Sequence, residues 1–196
     1  MTARLDIPAE RSPLPPRQAF RAVGQCVVRT VGLLAQRRIH QPRSMLGARL
    51  CFSDGTCGTV YRETVSDFVP AEPCILVVSF RLKLIRGRGH SVFRFESELN
   101  TPLFVGFRGF VSKLWLTHDE VGRYRGFYEW DGAASADDYA RALWQVLALV
   151  SDRASIHYQV LPTLRRDEVL DDPTLLGRIP GTGEWWRLVR TTRSDD

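Results

Sequence analysis

Apolar residues recur along this chain with periods that separate helical segments from strands. Between residues 17 and 39 they recur at steps of three and four, which predicts an amphipathic helix whose arginines lie largely off the apolar stripe. Residues 48–65 form two strand-like runs around the turn signal Asp54-Gly55, which predicts a β-hairpin. The helical stripe consists of Phe20, Val23, Val27, Val31 and Leu34.

A regular succession of strand-like and helix-like segments begins at residue 74. Their order, β-α-β-β-α-β, is a split βαβ unit, so we predict an α+β fold with a ferredoxin-like sheet. Two helices on one face leave the other face of a four-stranded sheet uncovered, and a second subunit, the N-terminal region or a ligand must cover it. Strands are predicted over 74–84, 109–118, 123–130 and 155–162, and helices over 92–100 and 137–151.

These segments divide the chain into four parts. Residues 1–16 hold four prolines and few apolar residues, which predicts a disordered lead-in. The predicted helix and hairpin make up an N-terminal extension over 17–73, and the ferredoxin-like domain covers 74–162. The tail, 163–196, is charged and rich in turn residues.

Composition places the chain among ordinary globular proteins, with 44% apolar and 25% charged residues. It has no apolar run of the roughly 18 residues that a membrane span needs. Its N-terminus lacks the charged-then-apolar pattern of a signal peptide. We therefore expect a soluble, cytoplasmic protein.

Positive charge is concentrated at the N-terminus. Residues 1–50 carry nine arginines against two acidic residues, a net of +7, whereas residues 51–196 carry 18 basic and 20 acidic residues, a net of −2. The basic helix has two open interpretations. It docks on the domain or on a partner subunit, or it makes a weak peripheral contact with an anionic membrane surface or another polyanion through residues 17–39.

Two of the four cysteines flank the predicted hairpin turn. With a two-residue loop at Asp54-Gly55, Cys51 and Cys57 point to opposite faces of the ribbon. A disulfide between them is then disfavoured. We expect reduced, partly buried thiols, consistent with a cytosolic location.

Four segments carry a resemblance to a known family: ILVVSFRL, FVSKLWL, GRYRGFYEWDG leading into a helix, and SIHYQVLP. They resemble the dimeric α/β-barrel superfamily, and within it the small mono-oxygenases related to antibiotic-biosynthesis mono-oxygenases. The resemblance implies a homodimer that buries the uncovered sheet face and a small pocket between each sheet and its helices. It also implies cofactor-independent oxidation of an aromatic or polyketide-like compound. Some members bind haem, so haem remains open here.

Two other functions compete with the oxygenase. One is a non-catalytic homodimer whose basic N-terminal helix contacts a partner or an anionic membrane. The other is an RNA-binding module, because RGFYEW on the third strand resembles the basic-Gly-aromatic motif of RNA-recognition domains. The first strand lacks the matching motif and the globular part is net negative, so RNA binding is not favoured.

The candidate chemistry lies on the sheet. Alternation along 123–130 places Tyr124, Tyr128 and Trp130 on one face. On that face Gly126 leaves a notch, which admits either a facing side chain or a ligand. The same alternation along 109–118 places Trp115 on the opposite face, where we expect it to stack on Arg125.

His157, in the last predicted strand, is the candidate general base that deprotonates a phenol, with Tyr128 as the second catalytic candidate. Histidine at a helix start, beside arginines and free N–H groups, can hold a carboxylate or phosphate. No set of histidines and cysteines has metal-binding spacing, so no metal is expected. The candidate substrate-binding residues are Trp115, Tyr124, Trp130, His90 and Arg94.

Overall fold

The protein is built around one antiparallel sheet. A computed structural model describes residues 12–83, 104–177, 179 and 184–193. Its strands are β1 (Ile39–His40), β2 (Arg49–Phe52), β3 (Cys57–Ser66), β4 (Pro73–Arg81), β5 (Phe110–Leu116), β6 (Arg123–Asp131), β7 (His157–Pro162) and β8 (Leu188–Thr192).

The described helices lie outside this sheet. Two are long, and none of those described is long and apolar enough to cross a membrane. The helices are α1 (Pro16–Ala35), α2 (Ala133–Val150), α3 (Arg166–Asp171) and α4 (Thr174–Gly177), and a 3₁₀ turn covers Arg153–Ser155.

The strand order is β7-β4-β6-β5-β3-β2-β8, with β1 paired to β3, and the sheet curls into a half-barrel. Every pairing is antiparallel. The central strand β4 is a run of apolar residues buried on both faces, which explains why it lacks the apolar–polar alternation of a strand with one wet face.

The predicted ferredoxin-like fold is wrong, and with it the resemblance to the dimeric α/β barrels. That fold is a four-stranded βαββαβ unit, whereas this sheet has eight strands. The reason is that β3, ten residues long, pairs along β5, so the sheet continues into the N-terminal extension and then into β8 from the tail. The four strands predicted within 74–162 and the helix at 137–151 are present, but the helix predicted over 92–100 lies outside the described residues.

The sheet face that we expected to be buried in a homodimer is covered by the chain itself. We call it the tail side, because α3, α4 and the residues before β8 pack on it. This intramolecular cover removes the reason for predicting a dimer through that face. Its core consists of Met45, Ala48, Leu50, Phe52, Val60, Ile75, Val77, Leu114, Leu116, Phe127, Leu161, Leu164, Val169, Leu170, Leu176, Ile179, Trp186 and Leu188.

The opposite face, which we call the helix side, packs against α2, and α1 packs in turn on α2. Aromatic rings dominate this layer, including Trp130, Tyr139 and Phe104, all almost fully buried. Helix α1 comes so close to the 104–110 turn that a Cβ on Gly106 would collide with the carbonyl of Cys26. A side chain at position 106 would therefore push α1 away from the domain.

The β2–β3 hairpin also differs from its prediction. Its loop holds three residues, 53–55, rather than two, and is closed by a hydrogen bond from the Phe52 N–H to the carbonyl oxygen of Thr56 (2.9 Å). The longer loop places Cys51 directly opposite Cys57, and the two form a disulfide. The expectation of reduced thiols is wrong for this pair, whereas Cys26 and Cys74 are buried and are not disulfide-bonded.

Candidate ligand-binding site

Polar and aromatic side chains from β3, β5 and β6 meet on the helix side in two neighbouring rows. The strand register sets these rows, because residues paired across an antiparallel sheet project from the same face. We call Arg62, Thr64, Lys113, Trp115 and Tyr128 the lysine–aromatic cluster. The first row is Thr64, Lys113 and Tyr128, and the second is Arg62, Trp115 and Gly126.

Two register shifts bring this cluster to the helix side. The pairing shifts between Phe110 and Ser112 in β5, as at a β-bulge, and again between Val60 and Arg62 in β3. An extra residue reverses the face of every side chain after it. Lys113 and Trp115 therefore share the face of Tyr128, opposite to the face predicted from simple alternation.

Lys113 is the centre of the cluster. Its side chain is buried, with a relative exposure of 4% for the residue. The ammonium nitrogen Nζ lies 3.0 Å from the ring centre of Trp115, 4.5 Å from that of Phe104 and 4.7 Å from that of Tyr128. Aromatic ring faces attract a cation, so these three rings partly replace the water that burial removes.

Burial lowers the pKa of Lys113 well below its ordinary value of 10.5, and the charge of Arg62 lowers it further. The Arg62 guanidinium lies 5.4 Å from the centre of the same Trp115 ring. Among the described residues, no acidic side chain contributes to the pKa of Lys113. The ammonium group of Lys113 thus shares one indole ring with a second cationic side chain and has no described carboxylate beside it.

Two further polar atoms in the cluster have no hydrogen-bond partner. They are the Thr64 hydroxyl oxygen and the Trp115 indole nitrogen Nε1, both buried. A buried polar group that lacks a partner costs about 1–3 kcal/mol of stability. The fold tolerates this cost beside the buried ammonium group of Lys113.

Tyr128 supplies a neutral hydroxyl to the cluster. Burial raises the pKa of Tyr128 and that of Tyr139, so both phenols stay protonated at neutral pH. The Tyr139 hydroxyl donates to the Tyr128 hydroxyl oxygen at 3.3 Å, which leaves the Tyr128 proton for another acceptor. The Gly126 notch is filled by the Tyr128 ring itself, since a Cβ there would lie 2.6 Å from its Cε2 atom.

An open cleft of about 450 Å³ lies beyond the aromatic layer, between α1, the start of α2 and the 106–108 turn. Arg29 and Arg108 line it. Phe107 also lines it and makes an edge contact with Tyr139, with 5.1 Å between ring centres. Two rings, Phe107 and Tyr139, therefore lie between this cationic cleft and Tyr128.

The structure gathers some of the predicted site residues and separates others. Tyr124, Tyr128, Trp130 and Trp115 all lie on the helix side, Tyr124 stacked on Phe80 with 5.7 Å between ring centres. His157 is exposed on the tail side, where its ring centre lies 6.1 Å from that of Trp185. The predicted catalytic pair, His157 and Tyr128, thus lies on opposite faces of the sheet. His90 and Arg94 fall outside the described residues.

Arg125 does not stack on Trp115, because it projects from the tail side. It lies over the Phe52 ring, 4.3 Å from the ring centre, and its guanidinium joins two turns. Nη1 donates to Asp119 Oδ2 at 2.8 Å and Nη2 donates to Asp54 Oδ2 at 2.7 Å, while Nε donates to the carbonyl oxygen of Trp185 at 3.0 Å. Nη2 also donates to Thr56 Oγ1 at 2.8 Å, so four of the five donors of the guanidinium are used, as expected of a structural clamp.

The acidic residues of the tail side are also structural. Arg166 lies 2.9 Å from the Glu63 carboxylate, and the Ser44 hydroxyl donates to the other Glu63 oxygen at 2.9 Å. Burial raises the pKa of Glu129, while Arg166 and Arg165 oppose that shift. These carboxylates are matched with arginines, whereas no carboxylate of the described residues is paired with Lys113.

Within the described residues, no group of three or more His, Cys, Asp or Glu side chains is arranged to hold a metal ion. No protein-family model matches the sequence, and no curated protein matches it either. The mono-oxygenase resemblance is therefore supported neither by the fold nor by a named relative.

Proposed function

We propose that this protein binds a small, mainly apolar or aromatic molecule through one negatively charged acceptor group, such as a carboxylate, in the lysine–aromatic cluster. The observation that carries the proposal is the environment of Lys113. Its ammonium group is buried against three aromatic rings and beside Arg62, and no acidic residue offsets its charge.

The hydrogen-bonding groups of the cluster favour an acceptor ligand. Lysine, arginine and the indole N–H are donors only, and the Trp115 Nε1 atom has no partner. The Tyr128 proton is a further donor. A carboxylate offers several lone-pair positions to such donors and balances the charge of Lys113, whereas a neutral apolar ligand would leave that charge and the indole N–H uncompensated.

The walls of the cluster favour an apolar body behind the charged group. Rings of Phe104, Trp115 and Tyr128 surround the lysine, and Trp130 and Tyr139 continue this layer with 4.7 Å between their ring centres. Small-molecule sites combine such apolar walls with a few polar anchors.

Binding of an anion should be coupled to the uptake of a proton. In the free protein the pKa of Lys113 is lowered, and a bound carboxylate raises it because the opposite charge stabilises the ammonium form. Affinity should therefore fall as the pH rises from the pKa of Lys113 in the free protein to its higher pKa in the complex, the range in which binding takes up a proton.

The test uses matched pairs of acids and amides: benzoate, naphthalene-1-carboxylate and octanoate, each beside its primary amide. Binding is measured by titration calorimetry on the full chain at pH 7, in two buffers of different ionisation enthalpy. We expect at least one acid to bind with proton uptake and its amide to bind at least tenfold more weakly.

The matched control is Lys113→Met, which keeps the side-chain volume and removes the charge. It should lose the preference for the acid over the amide. Failure of every acid to bind, or equal binding of each acid and its amide, would refute the proposal.

A further inference from the structure

Helix α1 presents an apolar stripe to solvent instead of burying it. The helix packs on the protein through Ala19, Cys26 and Thr30. The apolar stripe found in the sequence lies to one side of this contact. Three of its five members are exposed, Phe20 (49%), Val31 (62%) and Leu34 (48%), and Val28 (74%) is exposed beside them.

These four side chains form one continuous surface. At 100° per residue they fall within an arc of about 120°, and at 1.5 Å per residue they extend over about 21 Å of the helix. Exposed apolar residues scattered singly need no explanation, whereas a contiguous stripe on one helix indicates an interaction site.

Positive charge predominates along α1. Residues 12–53 contain seven arginines and no aspartate or glutamate, although Asp138 of α2 lines the same cleft as Arg29. Arg17, Arg21 and Arg29 are exposed on α1, and none of the three forms an ion pair with a carboxylate of the described residues. These arginines give the exposed side of the helix a positive charge.

The surface is also held in place before any partner arrives. The Leu14 N–H donates to the carbonyl oxygen of Arg141 at 3.3 Å, and the Gln145 side-chain amide donates to the carbonyl oxygen of Leu14 at 2.8 Å. These bonds tie the start of α1 to α2. A partner therefore meets a formed helix and does not have to order one, which lowers the entropy that binding loses.

We propose that α1 docks on an anionic lipid membrane surface, with the stripe of Phe20, Val28, Val31 and Leu34 inserted at the headgroup level and the arginines on lipid phosphates. Helices of this composition lie in the plane of the interface, with apolar side chains in the acyl boundary and cations on the polar side. The helix lies on the surface and does not cross the bilayer.

Charge disfavours one competing occupant, and the apolar stripe disfavours the other. A second copy of the chain would bring two arginine-rich helices together without acidic residues between them, and like charges in contact oppose association. A nucleic acid would satisfy the arginines but would leave the aliphatic stripe in contact with phosphate and sugar. An anionic bilayer matches both the charge and the apolar residues.

The experiment is co-sedimentation of the full chain with vesicles of phosphatidylcholine containing 30% phosphatidylglycerol, compared with vesicles of phosphatidylcholine alone. We expect binding to the anionic vesicles at 50 mM NaCl, at least tenfold weaker binding at 500 mM NaCl, and weak binding to the neutral vesicles. Arg17→Gln with Arg21→Gln should weaken binding about fivefold for each arginine removed.

The apolar part of the proposal is tested by Val28→Asp with Val31→Asp, which should weaken vesicle binding more than tenfold. Val121→Asp, a substitution of a similarly exposed valine (52%) outside α1, is the matched control and should bind like the unmodified protein. Circular dichroism and the thermal midpoint of each variant establish that all of them remain folded.

Three results would overturn the proposal: no binding to anionic vesicles at low salt, equal binding to neutral and anionic vesicles, or wild-type binding by the Val28→Asp, Val31→Asp variant. Sedimentation velocity can give a fourth refuting result. If the wild type is a dimer, the double substitution dissociates it and no variant binds vesicles, the stripe contacts a second copy of the chain instead.

Discussion

Replacing Lys113 by methionine should stabilise the fold at neutral pH. Burial lowers the pKa of this lysine, so the folded protein either releases its proton or holds a buried charge, and both alternatives cost free energy. Methionine fills a similar volume and makes favourable sulfur–aromatic contacts with the same rings. Replacing a buried charge by an apolar side chain is often stabilising by about 1–4 kcal/mol, and we expect an increase in this range.

The pH dependence provides the sharper part of this prediction. Between the lowered folded-state pKa and the ordinary value of 10.5, the unfolded chain binds a proton at Lys113 that the folded protein does not. The free energy of unfolding of the wild type therefore rises with pH in this window, by up to about 1.4 kcal/mol per unit. The methionine variant lacks this contribution, so its advantage over the wild type should shrink as the pH rises.

The assay is urea unfolding of both proteins at pH 7, 8 and 9. Burial raises the pKa values of Cys74 and Tyr128, which reduces stability at alkaline pH, but both variants share these groups and the difference between them cancels the effect. Lys83, the other lysine of the chain, is exposed, and Lys83→Met is the matched control.

The control should show a difference from the wild type that does not change with pH. The reasoning is refuted if Lys113→Met is less stable than the wild type at pH 7. It is also refuted if the difference between the two proteins stays constant from pH 7 to pH 9.

Two predictions concern the tail side and the hairpin. Arg125→Met should lower the free energy of unfolding, measured in urea, by about 3–5 kcal/mol, because the fully buried carboxylate of Asp119 would lose its arginine partner. A loss below about 1 kcal/mol would contradict the role of Arg125 as a structural clamp. The Cys51–Cys57 disulfide predicts two reactive thiols in the unfolded, unreduced protein and four after reduction, and four thiols before reduction would contradict it.

The sequence pattern located the strands between residues 74 and 162 and the second long helix, but it did not predict how the strands pair. Each strand between residues 74 and 162 lies close to its expected place, because apolar, β-branched runs bounded by turn residues favour strands strongly. Strand β8 was missed, because its LVRTT sequence alternates weakly and its pairing with β2 joins segments far apart in the chain. The ferredoxin-like prediction failed with it, since the sheet has additional strands from both ends of the chain.

The candidate site was missed for a local reason. A one-residue register shift after Phe110 moves Lys113 to the face of Tyr128, and no residue type in β5 indicates that shift. One signal was present in the sequence: Lys113 is one of only two lysines in an arginine-rich chain, and it lies in the middle of an otherwise apolar strand. A charged residue at such a position is rarely buried without a reason.

The sequence pattern located the apolar stripe on α1 but left its role open between docking and contact with an anionic surface. Helical periodicity finds an apolar face and gives no information about which part of the face meets the protein. In the structure, small residues such as Ala19 and Cys26 make the close contact, because they allow α1 to approach the 104–110 turn at Gly106. The larger apolar residues of the stripe are left outside this contact.

The two lysines allow the central claim to be tested on a single atom. Protein labelled with ¹³C at lysine Cε should give two side-chain signals, one from Lys113 and one from Lys83, which Lys113→Met assigns. The account predicts that Lys113 titrates well below the ordinary lysine range in the free protein, and that the best-binding carboxylate raises its pKa without affecting Lys83. A Lys113 signal that titrates as an ordinary exposed lysine, or that does not respond to any of the three acids, would contradict the assignment of this cluster as an anion-binding site.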